Sequence, residues 1–208
     1  MERKKIINRY KRAEVYDIYN KRDCPFCFIM TKIDITNIVK YCKKHKHYYA
    51  TIAWALMMAT NDMFEMRIRY EDGEFYEYDL MHPEFMLPFE NGIAGCLGCE
   101  MKKNYVEFIQ EYDKQKSIFE NLQENIYCQD NGTIWISCEP WMELSSIIPP
   151  FDKKIDFQRF IWDKIKKEKG HYTVNILIMF HHGYLDGQHV AQFLDKFKHY
   201  EAEFRKYN

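Results

Sequence analysis

The stretch Tyr172-Thr173-Val174-Asn175-Ile176-Leu177-Ile178-Met179-Phe180-His181-His182-Gly183-Tyr184-Leu185-Asp186-Gly187-Gln188-His189 decides how the rest of the chain is read. Through Phe180 it is a run of β-branched and apolar residues of strand length. Beyond Gly187 the residues Val190, Phe193, Leu194, Phe197 and Tyr200 recur on one face of a helix. Two adjacent histidines therefore stand where a buried strand gives way to a loop. A strand end is a rigid mount, and rigidity matters for a general base because misplacement by about 1 Å can cost roughly 100-fold in rate. Neighbouring strand residues point to opposite faces, so only one of the pair can look into a given cleft. Asp186, before a glycine, suits a tight turn and offers a charge to orient the loop.

Upstream, residues 8 to 22 space Val15, Ile18 and Tyr19 like one side of a helix. Cys24 to Ile33 reads as a strand after a proline-marked turn, and Thr36 is placed to cap a short helix containing Ile38, Val39 and Cys42. Ile52, Ala53, Leu56 and Met57 define a more buried helix from Tyr49 that ends near Thr60-Asn61. Asp72-Gly73, between alternating segments Phe64 to Tyr70 and Glu74 to Asp79, is a two-residue hairpin signal. Residues 84 to 100 read as strand and loop. A long helix over Tyr105 to Asn125 turns Phe108, Ile109, Tyr112 and Phe119 inward. Thr133 to Cys138 is a strand, Pro149-Pro150 marks a loop, and Phe157 to Lys164 is expected to pair with Tyr172 to Phe180 through the turn Lys167 to Gly170. No repeat, linker or boundary divides residues 1 to 208, so one domain is expected.

A chain of 208 residues with 17% aromatic content can bury a sizeable core. A formal net charge of −1 recommends neither nucleic acid nor an anionic membrane as partner. No apolar run reaches about 18 residues and Met1-Glu2-Arg3-Lys4-Lys5 leads into no secretory core, which points to a cytoplasmic protein with reduced cysteines. The seven cysteines include two C-x-x-C pairs, Cys24 with Cys27 and Cys96 with Cys99. That is zinc-ligand spacing, but 68 intervening residues far exceed a compact zinc ribbon. Buried small side chains or free thiols are the favoured reading, and no bound metal is expected.

The run His181-His182-Gly183-Tyr184-Leu185-Asp186-Gly187 resembles the HHxxxDG signature of the chloramphenicol acetyltransferase family, which a wider group of coenzyme A dependent acyltransferases shares. Lys32-Ile33-Asp34-Ile35-Thr36, the segment Met66 to Arg69 with Asp72-Gly73-Glu74, and Ser137-Cys138-Glu139-Pro140-Trp141 are similar to further family stretches, in the family's order. The resemblance spans residue 8 to the end. It implies an α/β two-layer sandwich, a mixed sheet with helices packed on one face, assembled as a homotrimer with a site at each subunit interface. It also implies transfer of an acetyl group from acetyl-CoA to a hydroxyl, with acetyl-CoA as co-substrate and no bound cofactor.

Within that resemblance His182 takes the role of general base and Ser137 that of oxyanion donor, while Asp186 pairs with Arg12 to hold the loop. A neutral imidazole suits the first task because its pKa near 6.5 lets it accept and return a proton near neutrality. Taken alone, a histidine at a strand end is more often a hydrogen-bonded structural residue. His181, His182, Asp186 and His189 also form a possible metal set, which alternating strand geometry disfavours.

Departures fall on the acceptor side. Tyr19 aligns with a pocket aromatic, but a family threonine falls at Ile161, a pocket aromatic is missing near Cys96, and an apolar position becomes Asp23. Each large apolar wall residue lost weakens a pocket by about 1.5 to 3 kcal/mol. Three functions stay open: chloramphenicol acetylation, acetylation of another hydroxyl compound, and a cysteine-ligated metal or non-catalytic module.

Overall fold

A computed structural model describes residues 2–6, 10–152 and 158–207. The apolar run ending at the two histidines forms β10 (His171–His181), the longest strand, and the main sheet is built round it. The spatial order is β2 (Phe26–Asp34), β10, β8 (Arg159–Asp163), β7 (Thr133–Glu139), β5 (His82–Pro88) and β6 (Ala94–Gly98), with β9 (Lys166–Glu168) pairing the start of β10. Neighbours of β7 on both sides run parallel to it and the remaining pairs are antiparallel, so the sheet is mixed. Lys169 and Gly170, at φ 48° and 89°, make the turn between β9 and β10.

Alternation along β10 divides its residues between two layers. Val174, Ile176, Ile178 and Phe180 enter the main core with the helices. Leu177 and Met179 join Phe26 and Ile161 on the opposite face, against the partly buried Phe28, Met30 and Ile147. The helices are α1 (Ala13–Asn20), α2 (Thr36–His45), α3 (Tyr48–Asn61), α4 (Tyr105–Leu122) and α5 (Gly187–Glu203). Of these α3 is the most enclosed: Ala50, Ile52, Ala53, Ala55, Leu56 and Met57 are all at most 1% exposed, as befits a helix that is apolar on every side. Among the described residues no helix is long and apolar enough to cross a membrane.

A second sheet, β1 (Arg3–Lys5), β4 (Glu74–Tyr78) and β3 (Ile68–Glu71), is antiparallel. Its hairpin turns at Asp72 and Gly73, both left-handed at φ 52° and 85°, the conformation a two-residue hairpin needs. The small sheet abuts the histidine loop: the Tyr184 hydroxyl accepts the Tyr70 N–H at 2.8 Å, and Tyr16 of α1 packs on Tyr70, Phe75, His181 and Tyr184.

Three local expectations need correction. Among the described residues the first helix begins only at Ala13, and its buried anchor is Tyr16, with Ile18 55% exposed. Thr36 is not the cap of α2: its N–H is taken by the Asp34 carboxylate at 2.8 Å, and its hydroxyl accepts the Tyr172 N–H. The strand expected from Phe157 begins at Arg159, and Phe157, like Asn8 and Arg9, lies outside the described residues.

Candidate active site

The loop after β10 is held from three directions. The His182 N–H donates to the Pro25 carbonyl at 2.9 Å, tying the strand end to the entry of β2. Arg12, just before α1, donates to the His182 and Gly183 carbonyls at 3.0 and 3.1 Å and to the Asp186 carboxylate at 3.0 Å. Asp186 also caps α5, accepting the Gln188 N–H at 3.1 Å and closing a reciprocal box with His189, whose Nδ1 stands 2.9 Å from its carboxylate. Partial burial works against the Asp186 charge, but His189, the Gln188 N–H and Arg12 outweigh it and hold the carboxyl below its usual range. Asp186 is thus more than a turn residue.

His182 is half-buried, and its Nδ1 lies 2.8 Å from the Leu185 carbonyl. A carbonyl only accepts, so Nδ1 carries the proton and, in the neutral ring, Nε2 is left with its lone pair. The Tyr19 ring lies against this imidazole, centroids 4.3 Å apart and planes tilted 49°. Its neighbour His181 is different: fully buried, stacked on Tyr16 and facing the Phe26 edge. His181 Nδ1 accepts the Gly183 N–H at 2.9 Å, and burial, assisted by the neighbouring His182, pushes its pKa down to about 4. Strand alternation separates the pair, and the less buried partner is the second.

Ser137 and Ile161 meet elsewhere. They are register partners on β7 and β8, and both line a cavity of about 580 Å³ with Met86, Trp135, Ile136 and Arg159, roofed by the loop from Ile147 to Asp152. Mostly apolar walls with few polar groups suit a small-molecule pocket. Ile161 pairs in turn with Leu177, and His182 is five positions beyond that. Five residues at about 3.3 Å and two strand spacings at about 4.8 Å put Ser137 and His182 roughly 19 Å apart in one chain. The remaining candidates join neither group: Asp23 is exposed two residues before Pro25, and Cys96 is buried on β6 opposite Met86.

The cysteine pairs sit at opposite edges of the main sheet, Cys24 and Cys27 at the entry to β2 and Cys96 and Cys99 at β6. Five strand spacings of about 4.8 Å separate those edges, so the pairs do not share one site within a chain. Cys99 belongs to the main core while Cys96 shares the Met86 face, and burial raises both thiols well above their usual range. Among the described residues no group of three or more His, Cys, Asp or Glu is placed to hold a metal ion.

Arg159 was not singled out by sequence. Its signal was a cation immediately before the apolar run Phe160-Ile161-Trp162 on a strand buried throughout, two residues from Ile161 and so on the same face.

Residues 2–198 match the family model described as Chloramphenicol acetyltransferase. The chain is 23% identical over 199 residues to chloramphenicol acetyltransferase 3 of Escherichia coli, covering 91% of this chain and 92% of that protein. It is 25% identical over 212 residues to a chloramphenicol acetyltransferase of Klebsiella sp, covering 96% and 93%. A solved chloramphenicol acetyltransferase structure superposes with a TM-score of 0.82 at 19% identity, covering 96% of this chain and 99% of that one. The truncated catalytic core of the 2-oxoacid dehydrogenase multienzyme complex from Thermoplasma acidophilum shares the fold at a TM-score of 0.65 and 14% identity, covering 95% and 98%. With a family match over nearly its whole length and the same mixed sheet with helices, the chain belongs to the chloramphenicol acetyltransferase family and is an acetyltransferase.

Proposed function

We propose that the protein transfers the acetyl group of acetyl-CoA to a hydroxyl of a small acceptor, with His182 as general base. The hydroxyl proton passes to Nε2 as the alcohol oxygen bonds to the thioester carbonyl carbon, giving a tetrahedral oxyanion and no covalent acyl-enzyme. Collapse breaks the carbon–sulfur bond, and the coenzyme A thiolate recovers the proton from the imidazolium. The observation that carries this is the Nδ1 to Leu185 carbonyl hydrogen bond, which commits the free lone pair to Nε2 on a ring anchored by Arg12 and Pro25.

Ser137 is the oxyanion donor, supplied by a neighbouring subunit of a homotrimer. The roughly 19 Å between the two residues within a chain supports a shared site. Supporting it as well are exposed apolar residues, Ile148 at 71% in the cavity's roof and Trp141 at 74% and Met142 at 50% in the turn after β7. Tyr19 and Ile161 belong to the acceptor wall, with Asp23 and Cys96 at its margins, while Asp186 and Arg12 position the loop. The acceptor is chloramphenicol, whose acetylation gives antibiotic resistance, or another alcohol. The second reading is favoured by Ile161, which has no hydroxyl, and by the cation Arg159 in the wall.

Release of coenzyme A thiol, followed over a panel of alcohols that includes chloramphenicol, tests the proposal. Robust chloramphenicol turnover fixes the acceptor, and no acetyl-CoA dependent turnover with any alcohol overturns the reading.

A further inference from the structure

Among the described residues two arginines are deeply buried, and they are satisfied very differently. Arg69, 0% exposed, donates to the carbonyls of Met66, Ile68, Asn131 and Thr133 at 2.8 to 3.3 Å. Arg159, 7% exposed, has one side-chain hydrogen bond among the described residues, to the Pro150 carbonyl, and lies 4.4 Å from the Trp135 ring centroid. Its Nε is buried with no partner among the described residues. A guanidinium carries five N–H donors, so most of its capacity is unspent.

Among the described residues no carboxylate pairs with it. Glu139 and Asp152 line the same cavity without forming an ion pair with Arg159, and burial pulls its pKa down. Glu84 lies one strand beyond Trp135 on the same row, with its carboxylate turned to the Cys128 N–H at 3.1 Å. A cation nine-tenths buried, set over an indole and open to a mostly apolar cavity, is costly unless something completes it. Its Cα is about 8 Å from that of Ser137, one strand across and two residues along.

We infer that the acceptor is a hydroxyl compound bearing an oxyanionic group, carboxylate or phosphate, which docks on the Arg159 guanidinium while its hydroxyl is directed toward Ser137. This rests on the acyl-transfer reading above and names the acceptor class of that site. A planar guanidinium binds either oxyanion through paired charge-assisted N–H donors, and the apolar wall takes the rest of the molecule.

The test compares N-benzoylserine with its neutral twin N-benzoylserinamide and with 2-benzamido-3-hydroxypropyl phosphate, in thiol release and in titration calorimetry. The anionic compounds are expected to exceed the amide by about 100-fold in kcat/KM and in affinity, in line with pairing a buried charge. Arg159→Met should abolish that preference and Arg159→Lys restore part of it, the lysine variant carrying the test if the methionine variant does not fold. Whichever of carboxylate or phosphate binds more tightly identifies the group. An amide bound and acetylated as well as the anions, or a preference that survives in Arg159→Met, overturns the inference. Acetylation confined to neutral alcohols ends the oxyanion site and leaves acyl transfer standing. Arg159-dependent anion binding without any acetylation does the reverse.

Discussion

His181 accepts the Gly183 N–H on Nδ1, so its neutral ring carries the proton on Nε2, inside a cage formed by Tyr16, Phe26 and Tyr184. Protonating Nδ1 would break that bond and bury a charge, which is why its pKa falls to about 4 from an ordinary 6.5. Between those values the unfolded chain binds a proton that the folded chain refuses, so stability is complete above the unfolded pKa and declines as pH falls toward 4. The contribution is on the order of 3 kcal/mol, and it is level again below the folded pKa. Urea midpoints from pH 7 to 4 should fall more steeply for the wild type than for His181→Asn, and parallel curves would contradict the assignment. At His182 the expected loss is catalytic: His182→Ala should lower turnover by about 100- to 10,000-fold and Ser137→Ala by about 100- to 1000-fold, read as kcat in thiol release. A larger loss at Ser137 than at His182 would reverse their proposed roles.

Arg12 shows how an element becomes part of a site without touching a substrate. Its guanidinium spans two carbonyls and a carboxylate, joining the start of α1 to the end of β10 and the cap of α5. A lysine keeps the charge but lacks the planar fork. Arg12→Lys should therefore leave the fold intact by circular dichroism and lower kcat about 10- to 100-fold through a displaced imidazole. Gly183 is constrained by proximity, because a Cβ there would lie 2.6 Å from the Tyr16 Cα and 2.8 Å from His181 Nδ1. Gly183→Ala should push α1 off the loop and lower the melting temperature and kcat together, and an unchanged melting temperature would count against so close a fit. Sequence pattern made the long apolar strand, the Asp72-Gly73 hairpin and α5 legible, since each repeats a period or a turn signal. It missed β1, where Arg3, Lys4 and Lys5 are all exposed on a short edge strand and carry no apolar alternation. It also missed the phase of α1, whose inward residue Tyr16 answers to the histidine loop and not to the Val15, Ile18 and Tyr19 stripe.

At the scale of the whole molecule, motif resemblance supplied His182, Ser137, Asp186 and Arg12 and the expectation of a site at a subunit interface, but not which residues one chain keeps apart. That follows from strand order: Ser137 stands two strands from β10 and well before its end, in a cavity of its own. The Leu185 hydrogen bond and the orphaned Arg159 donors depend on tertiary packing, so spacing alone did not reveal them. If the active site is shared between subunits, two inactive chains should repair one another. In a ring with heterologous interfaces, Ser137→Ala subunits offer an intact His182 to an intact Ser137 on His182→Ala neighbours. Random assembly of equal amounts into trimers leaves one sound site in every mixed ring, so co-expressed variants should recover about a quarter of wild-type turnover. Each variant expressed alone should show only its own residual rate. Recovery near zero in verified mixed oligomers would mean that base and oxyanion donor must come from the same chain, and the roughly 19 Å between them would then exclude Ser137 from the reaction.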